Sequence, residues 1–240
     1  MPAAASSPTV FARCGRVHER QGTALSAAST LLFDLDGTLT DNYAGITRSI
    51  RHAMSGMDGP AVDDATLRHC IGPPLRRTFA RLLATDDAER IEHALALYRE
   101  RYAVEGWREN EVYAGIDATL ATLAARGHRM LLCTSKPKVY ADRIVAHFGL
   151  AKDLGAVYGA ELGGRVDDKA DLMAELLVEQ RINASRCVMV GDRAQDIIAA
   201  NANGVRPVGV LWGYGSREEL QGAGASELLG APGELLAAVD

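Results

Sequence analysis

The stretch Leu31-Leu32-Phe33-Asp34-Leu35-Asp36-Gly37-Thr38-Leu39-Thr40 decides how this chain folds. Leu31 to Phe33 read as the end of a buried parallel strand. Asp34 and Asp36 stand two positions apart, so strand alternation turns both carboxylates to one side. Gly37 lets the chain turn sharply after them. Carboxylates at the carboxyl end of a parallel strand occupy the edge where open α/β sheets take up their ligands. Placing two there is costly unless a cation or a reacting group uses them. Taken alone, Asp-x-Asp reads rather as a strand followed by an Asp-Gly turn that Asp36 merely caps, so the decision lies further along the chain.

Working outward, residues from about Tyr43 to Tyr113 read as helical throughout, with no convincing strand. Ile46, Ile50, Ala53 and Met57 recur at helical spacing. Asp63 or Asp64 can cap a short helix, Gly72-Pro73-Pro74 breaks the chain, and Asp86 with Glu89 forms a capping box for a long helix. Beyond Tyr113 the pattern alternates. Strands are expected at Met130–Cys133, 156–158, Cys187–Val190 and 207–211, with helices between them and a last helical stretch from Pro232 to Val239. Such alternation predicts an α/β fold, a Rossmann-like doubly wound parallel sheet. The expected division is a leader over 1–29, disordered and outside the fold, a core made of 30–42 and 114–240, and a helical cap over 43–113. Because the cap follows the aspartate pair directly, it should lie over that edge of the sheet.

The composition bounds the function. The chain has 240 residues, 48% hydrophobic and 24% charged, with a net charge of −5. That suits one sizeable domain with a smaller insertion and offers no broad basic field to nucleic acid. No apolar run is long enough to span a bilayer. The four cysteines, Cys14, Cys70, Cys133 and Cys187, form no Cys-x-x-Cys pair. Cys133 and Cys187 fall in strand-like runs, where a cysteine acts as a small buried hydrophobe. A reducing cytoplasm is the expected compartment and a monomer the expected state.

Three further stations carry chemistry. Thr134-Ser135-Lys136 follows a strand and can hold a phosphoryl oxygen, although by itself it would read as a helix cap. Gly191-Asp192-Arg193-Ala194-Gln195-Asp196 brings two more carboxylates, one helical turn apart, to the same sheet edge. Clustered carboxylates repel one another, and an oxygen-only aspartate set suits Mg²⁺. Lys169 precedes a helix and can offset such charge as a point cation. The competing lysines are Lys136, Lys138 and Lys152. No Gly-x-x-x-x-Gly-Lys-Ser/Thr loop occurs, which argues against a P-loop kinase or NTPase.

In order and spacing, Asp34-x-Asp36-x-Thr38, Thr134, Lys169 and Gly191-Asp192-x-x-x-Asp196 resemble the four motifs of the haloacid dehalogenase superfamily. The similarity runs from about Leu31 to the C-terminus. It is greatest to phosphoglycolate phosphatases with a helical cap between the first two motifs. Ile71-Gly72-Pro73-Pro74-Leu75 and Val210-Leu211-Trp212-Gly213-Tyr214-Gly215 add to that likeness. The resemblance implies hydrolysis of a small-molecule phosphomonoester, with Asp34 as nucleophile and Asp36 as general acid and base. It implies Mg²⁺ held by the Asp34 carboxylate, the Asp36 backbone carbonyl and Asp192, with Asp196 orienting or joining the set. Thr134, Ser135 and Lys169 would hold the phosphoryl oxygens, while Tyr43, Arg76 and Arg77 are candidates for gripping the leaving group. Asp36 argues against a true dehalogenase, which lacks it. A phosphomutase would use the same pair, and a non-catalytic phosphate-binding protein remains the alternative. Ala170, Asn42 and Arg193 depart from the residues common at those positions and leave the substrate open. Phosphoglycolate, a nucleoside 5'-monophosphate, a sugar phosphate or a phosphorylated biosynthetic intermediate would all suit these residues. A cap rich in arginine would favour an acidic leaving group, and an apolar mouth a larger aromatic one.

Overall fold

The computed structural model describes Met1, residues 29–163 and residues 168–239. The leader expected over 1–29, apart from its two end residues, lies outside the described residues. So do Cys14 and the stretch 165–167 that leads into Lys169.

In chain order the elements begin with strand β1 (Thr30–Phe33), the two-residue strand β2 (Thr40–Asp41), and helices α1 (Tyr43–Gly56), α2 (Asp64–Arg68), α3 (Leu75–Leu82) and α4 (Ala88–Arg101). A π turn (Tyr102–Gly106) extends α4, and β3 (Glu111–Val112) follows. Then come α5 (Ile116–Ala125), β4 (Arg129–Pro137), α6 (Lys138–His147), β5 (Val157–Ala160), α7 (Lys169–Glu179) and β6 (Cys187–Gly191). The chain ends with α8 (Ala194–Ala202), β7 (Arg206–Val210), α9 (Arg217–Gly222), β8 (Glu227–Leu229) and α10 (Leu235–Ala238).

Six strands form one sheet in the order β5-β4-β1-β6-β7-β8, and every pairing in it is parallel. Strand alternation sends Leu31 and Phe33 to one face and Leu32 to the other. The first pair joins the cluster containing Ile116 and Leu120 of α5 and Tyr140 and Ile144 of α6. Leu32 packs with Leu131, Cys133, Cys187 and Met189 against Leu172, Met173 and Leu176 of α7 and Ala199 of α8. Helices therefore cover both faces, which explains why these strands read as unbroken apolar runs. Cys133 and Cys187 are free and buried, as expected of small hydrophobes. No helix among the described residues is long and apolar enough to cross a membrane.

The helical cap is inserted after β1, between β2 and β3. These two pair antiparallel, with Thr40 opposite Val112 and Asp41 opposite Glu111. This ribbon is a departure from the strandless reading of 43–113. Each strand is two residues long, too short to show a period, and it forms only because the outgoing and returning chains meet. Asp63, not Asp64, caps α2, accepting from Thr66 N. Asp87 rather than Asp86 caps α4, accepting from Glu89 N at 2.9 Å and Arg90 N at 3.4 Å. β8 at the sheet edge has no counterpart among the strands expected from sequence, since three residues between a turn and a Gly carry no pattern of their own.

Inside the cap, α1 packs against α4 and against the π turn. The contact at Gly45 is so close that a Cβ there would stand 1.9 Å from the carbonyl oxygen of Gly106. Helix propensity alone would favour Gly45→Ala by about 1 kcal/mol. Overpacking opposes it by about 1–3 kcal/mol or more, because backbone rather than a flexible side chain must move. The variant is expected to unfold at lower urea concentration than the parent. A variant as stable as the parent, or more so, would contradict this close approach.

Candidate active site

Asp34 follows β1 directly, and its N–H donates to Val190 O on β6 at 3.0 Å, so the sheet itself aims the residue. Gly37 then takes a left-handed φ of 91°, and a Cβ there would collide with Asp192 Oδ2 at 2.2 Å. The turn is closed by Gly37 N to Thr40 O at 2.8 Å. β6 ends at Gly191 and delivers Asp192. Asp192 accepts from Tyr214 N at 2.8 Å and from Thr38 Oγ1 at 3.4 Å. Asp196 sits in the first turn of α8 and accepts from Arg193 N at 2.9 Å.

The fold thus gathers four buried carboxylates, with relative exposures of 5% for Asp34, 8% for Asp36, 0% for Asp192 and 1% for Asp196. One carboxylate oxygen from each of Asp34, Asp192 and Asp196 lies within 4.8 Å of the others. Two buried lysines answer them. Lys169 Nζ contacts Asp34 Oδ1 at 2.8 Å and also pairs with Asp196 Oδ1. Lys136 Nζ contacts Asp36 Oδ2 at 2.8 Å. Four carboxylates against two ammonium groups leave a formal charge of −2 within this group.

The electrostatics follow from burial. Desolvation pushes Asp192 well above the usual carboxylate range, and the charges of Asp196 and Asp34 push it further. Burial raises Asp196 to about 6 despite the opposing pull of Lys169. Burial also raises Asp36, while Lys136 pulls it back down. For Lys169, burial opposes the charge, but Asp196 and Asp34 outweigh it and hold the ammonium above its ordinary value. The donor set is oxygen only, crowded and still net negative, which fits a small divalent cation such as Mg²⁺.

Beside these groups a cavity open to solvent runs up between core and cap. Asp34, Asp36, Thr134, Ser135 and Lys136 line its floor, and Ile71, Leu95, Tyr98, Tyr102 and Tyr140 line its wall. Tyr98 and Tyr102 stack with centroids 5.2 Å apart, and Tyr140 meets Tyr102 edge-on at 5.1 Å. Thr134 and Ser135 thus lie beside Asp34 and Asp36 in this cavity. Arg76 reaches the cavity, but its Nε is paired with Glu92 Oε1 at 2.5 Å. Tyr43 and Arg77 are not among the lining residues. The Tyr43 hydroxyl donates to Asp64 Oδ1 at 3.0 Å, tying α1 to α2, and Arg77 lines a separate groove between cap and core. The Asp36 carboxylate stands outside the close trio, on Lys136.

Lys136 is the residue whose place the sequence did not disclose. β4 continues past Cys133 and is irregular between Thr134 and Pro137, where its register against β5 shifts. That irregularity re-aims the side chain. Lys136 Nζ donates to the Tyr102 hydroxyl at 2.7 Å and lies 4.7 Å from the Tyr102 ring centroid. The Tyr102 hydroxyl donates in turn to the side-chain oxygen of Asn42 at 2.5 Å, and the Asn42 amide nitrogen reaches the carbonyls of Gly106 and Glu109, each at 3.2 Å. The motif residue Lys136 is visible in sequence, but its contact with Asp36 depends on an irregular strand end.

Known proteins resemble this chain in sequence and fold. Residues 31–210 match the family model of haloacid dehalogenase-like hydrolases. A 5'-nucleotidase of Pseudomonas aeruginosa is 45% identical over 193 residues, 80% of this chain and 86% of that protein. Tyrosine-protein kinase PtkA of Mycobacterium tuberculosis is 40% identical over 185 residues, 77% of this chain but only 62% of that protein. A phosphoglycolate phosphatase of Rhodospirillum rubrum is 34% identical over 204 residues, 81% of this chain and 84% of that protein. A solved structure from Clostridium acetobutylicum, described as a predicted phosphatase, superposes with a TM-score of 0.85 at 36% identity, covering 89% of this chain and 99% of that one. With its parallel sheet, inserted helical cap and aspartate-rich edge, the chain belongs to the haloacid dehalogenase-like hydrolases, as an enzyme of their phosphatase kind.

Proposed function

We propose that this chain hydrolyses a small-molecule phosphomonoester in two steps, through an aspartyl-phosphate on Asp34. The observation that carries this reading is the division of labour between the two lysines. Lys169 holds Asp34, and Lys136 separately holds Asp36. Asp34 attacks phosphorus in line, forming one P–O bond as the ester P–O bond breaks. Asp36 gives its proton to the departing oxygen, then takes a proton from the water that cleaves the aspartyl-phosphate, releasing inorganic phosphate and restoring Asp34. Burial of Asp36 favours the protonated form that the first step needs, and Lys136 favours the ionised form that the second needs. Lys169, the Thr134 hydroxyl and backbone N–H groups after Asp34 would steady the phosphoryl oxygens. Asp34, Asp192 and Asp196 would hold Mg²⁺, with the Asp36 carbonyl as a further donor. Bound there, the cation would offset the negative charge of carboxylates and phosphoryl group.

The cavity wall favours a leaving group larger than glycolate. Its aromatic face of Tyr98, Tyr102 and Tyr140 suits a flat ring, and Arg76 is already paired with Glu92. A nucleoside 5'-monophosphate fits this wall, in line with the nucleotidase likeness. The phosphomutase and binding-protein alternatives have no such feature in their favour.

Phosphate release from a panel of phosphomonoesters is expected to be abolished by chelator and to rank nucleoside 5'-monophosphates above phosphoglycolate. Phosphoglycolate at the top would return the leaving group to a small acid, and no release from any compound would contradict the hydrolase reading. Asp34→Asn should lower kcat by about 10⁴-fold or more while the circular dichroism stays native. Appreciable turnover by that variant would remove Asp34 as nucleophile.

The raised carboxylates also set a pH dependence. With Asp196 at about 6 and Asp192 raised as well, the metal-free native state binds more protons than the unfolded chain above the ordinary aspartate range. Stability is therefore lost as pH rises through that window. Thermal melts of metal-free protein should drop by roughly 5 °C between pH 5 and pH 7, with Mg²⁺ restoring the loss at pH 7. A metal-free melting temperature that rises over this range would contradict the carboxylate account.

A further inference from the structure

Two arginines hold the cap to the core, and each is tied to a backbone N–H that donates to a site carboxylate. Arg68, in the last turn of α2, donates from Nη2 to Gly213 O at 2.8 Å, with its guanidinium 5.6 Å from the Tyr214 ring centroid. The same peptide unit continues as the N–H of Tyr214, which donates to Asp192 Oδ2 at 2.8 Å. One rigid amide thus faces a cation of the cap on its oxygen side and a site carboxylate on its nitrogen side. Hydrogen bonds arranged in series polarise and strengthen one another.

The second strap runs the other way. Arg193 lies at the start of α8, and its N–H donates to Asp196 Oδ2 at 2.9 Å. Its guanidinium reaches up to the carbonyl of Ile71, a residue that lines the cavity wall. Glu219 fixes the strap from below, accepting from Arg193 Nε at 2.8 Å and from Ala194 N at 2.9 Å. Arg193 is only 7% exposed, so breaking the Ile71 contact would leave a buried donor unpaired.

We propose that Arg68 and Arg193 are positioning residues that couple the seating of the cap to the geometry of Asp192 and Asp196. This rests on the reading of those aspartates as metal-holding groups. Cap docking fixes the two backbone N–H donors, which fix the carboxylates. By reciprocity, a filled cation site favours the docked cap. The chain thereby ties metal affinity to the same Ile71 turn that meets the leaving group.

Calorimetric titration of MgCl₂ into the full chain, without substrate, tests the coupling apart from turnover. Arg68 neither lines the cavity nor contacts a site carboxylate, so Arg68→Ala disturbs the carboxylates only through the clasp. Its Mg²⁺ affinity is expected to fall about 10-fold, the scale of outer partners that orient metal ligands. Arg68→Lys, which keeps a cationic donor, should recover part of that loss. Arg193→Lys, chosen because truncating a buried arginine risks the fold, should also bind Mg²⁺ more weakly than the parent. Failure of the parent to bind Mg²⁺ would overturn the metal reading and the coupling together. Binding by the parent with unchanged affinity in Arg68→Ala and Arg193→Lys would overturn the coupling and leave the metal reading standing.

Discussion

Everything at the working edge of this molecule answers one constraint, the burial of four carboxylates at one sheet edge, three of them with oxygens within 4.8 Å of one another. In a medium of low polarity such a group would repel itself apart. Two buried lysines offset half of its charge, and the remainder is of the size one divalent cation carries. Neutralisation by the lysines is partitioned, one beside Asp34 and Asp196 and the other beside Asp36. In the proposed mechanism, that partition lets two chemically identical side chains, two residues apart, take different roles. A fold that placed both lysines on one aspartate would remove the proposed distinction between nucleophile and acid.

The sheet supplies the rigidity this crowding demands. β1 lies between β4 and β6, so the three strand ends that carry Asp34, Thr134 and Asp192 are neighbours by hydrogen bonding rather than by loop conformation. The cap supplies what the sheet cannot, an apolar wall at the cavity mouth. Tyr102 belongs to both parts of the problem. Its ring stacks in the aromatic wall, and its hydroxyl accepts from the lysine that holds Asp36. The π turn that begins at Tyr102 is the local irregularity that accompanies this placement, as such turns often do at functional sites.

How much of this could be read from the sequence depended on range. Asp34, Asp36 and Asp192 were legible because they sit at or just past the end of an apolar run, and Asp196 because it follows Asp192 by one helical turn. The parallel α/β core was legible for the same reason, since both sheet faces are buried and the strands read as continuous apolar segments. Lys136 was legible as a residue but not as the partner of Asp36, because an irregular strand end decides where it points. Tyr43 pointed to the cavity by position alone, while its actual partner, Asp64, lies 21 residues on, at the start of the next helix. The arginine straps were invisible altogether. Arg68 meets a carbonyl 145 residues away and Arg193 one 122 residues away, and no local pattern encodes such meetings.

The central claim is that Asp34 becomes phosphorylated and that Asp36 is needed to remove the phosphoryl group. Acid quenching of the Asp36→Asn variant during reaction with p-nitrophenyl phosphate and Mg²⁺, followed by peptide mapping by mass spectrometry, tests it most directly. This leaving group departs without a proton, so the first step proceeds and the second stalls. A phosphoryl group is expected to accumulate on the peptide that contains Asp34, and on that residue. A burst of p-nitrophenolate with no phosphorylated peptide, or with the phosphoryl group on another residue, would contradict it.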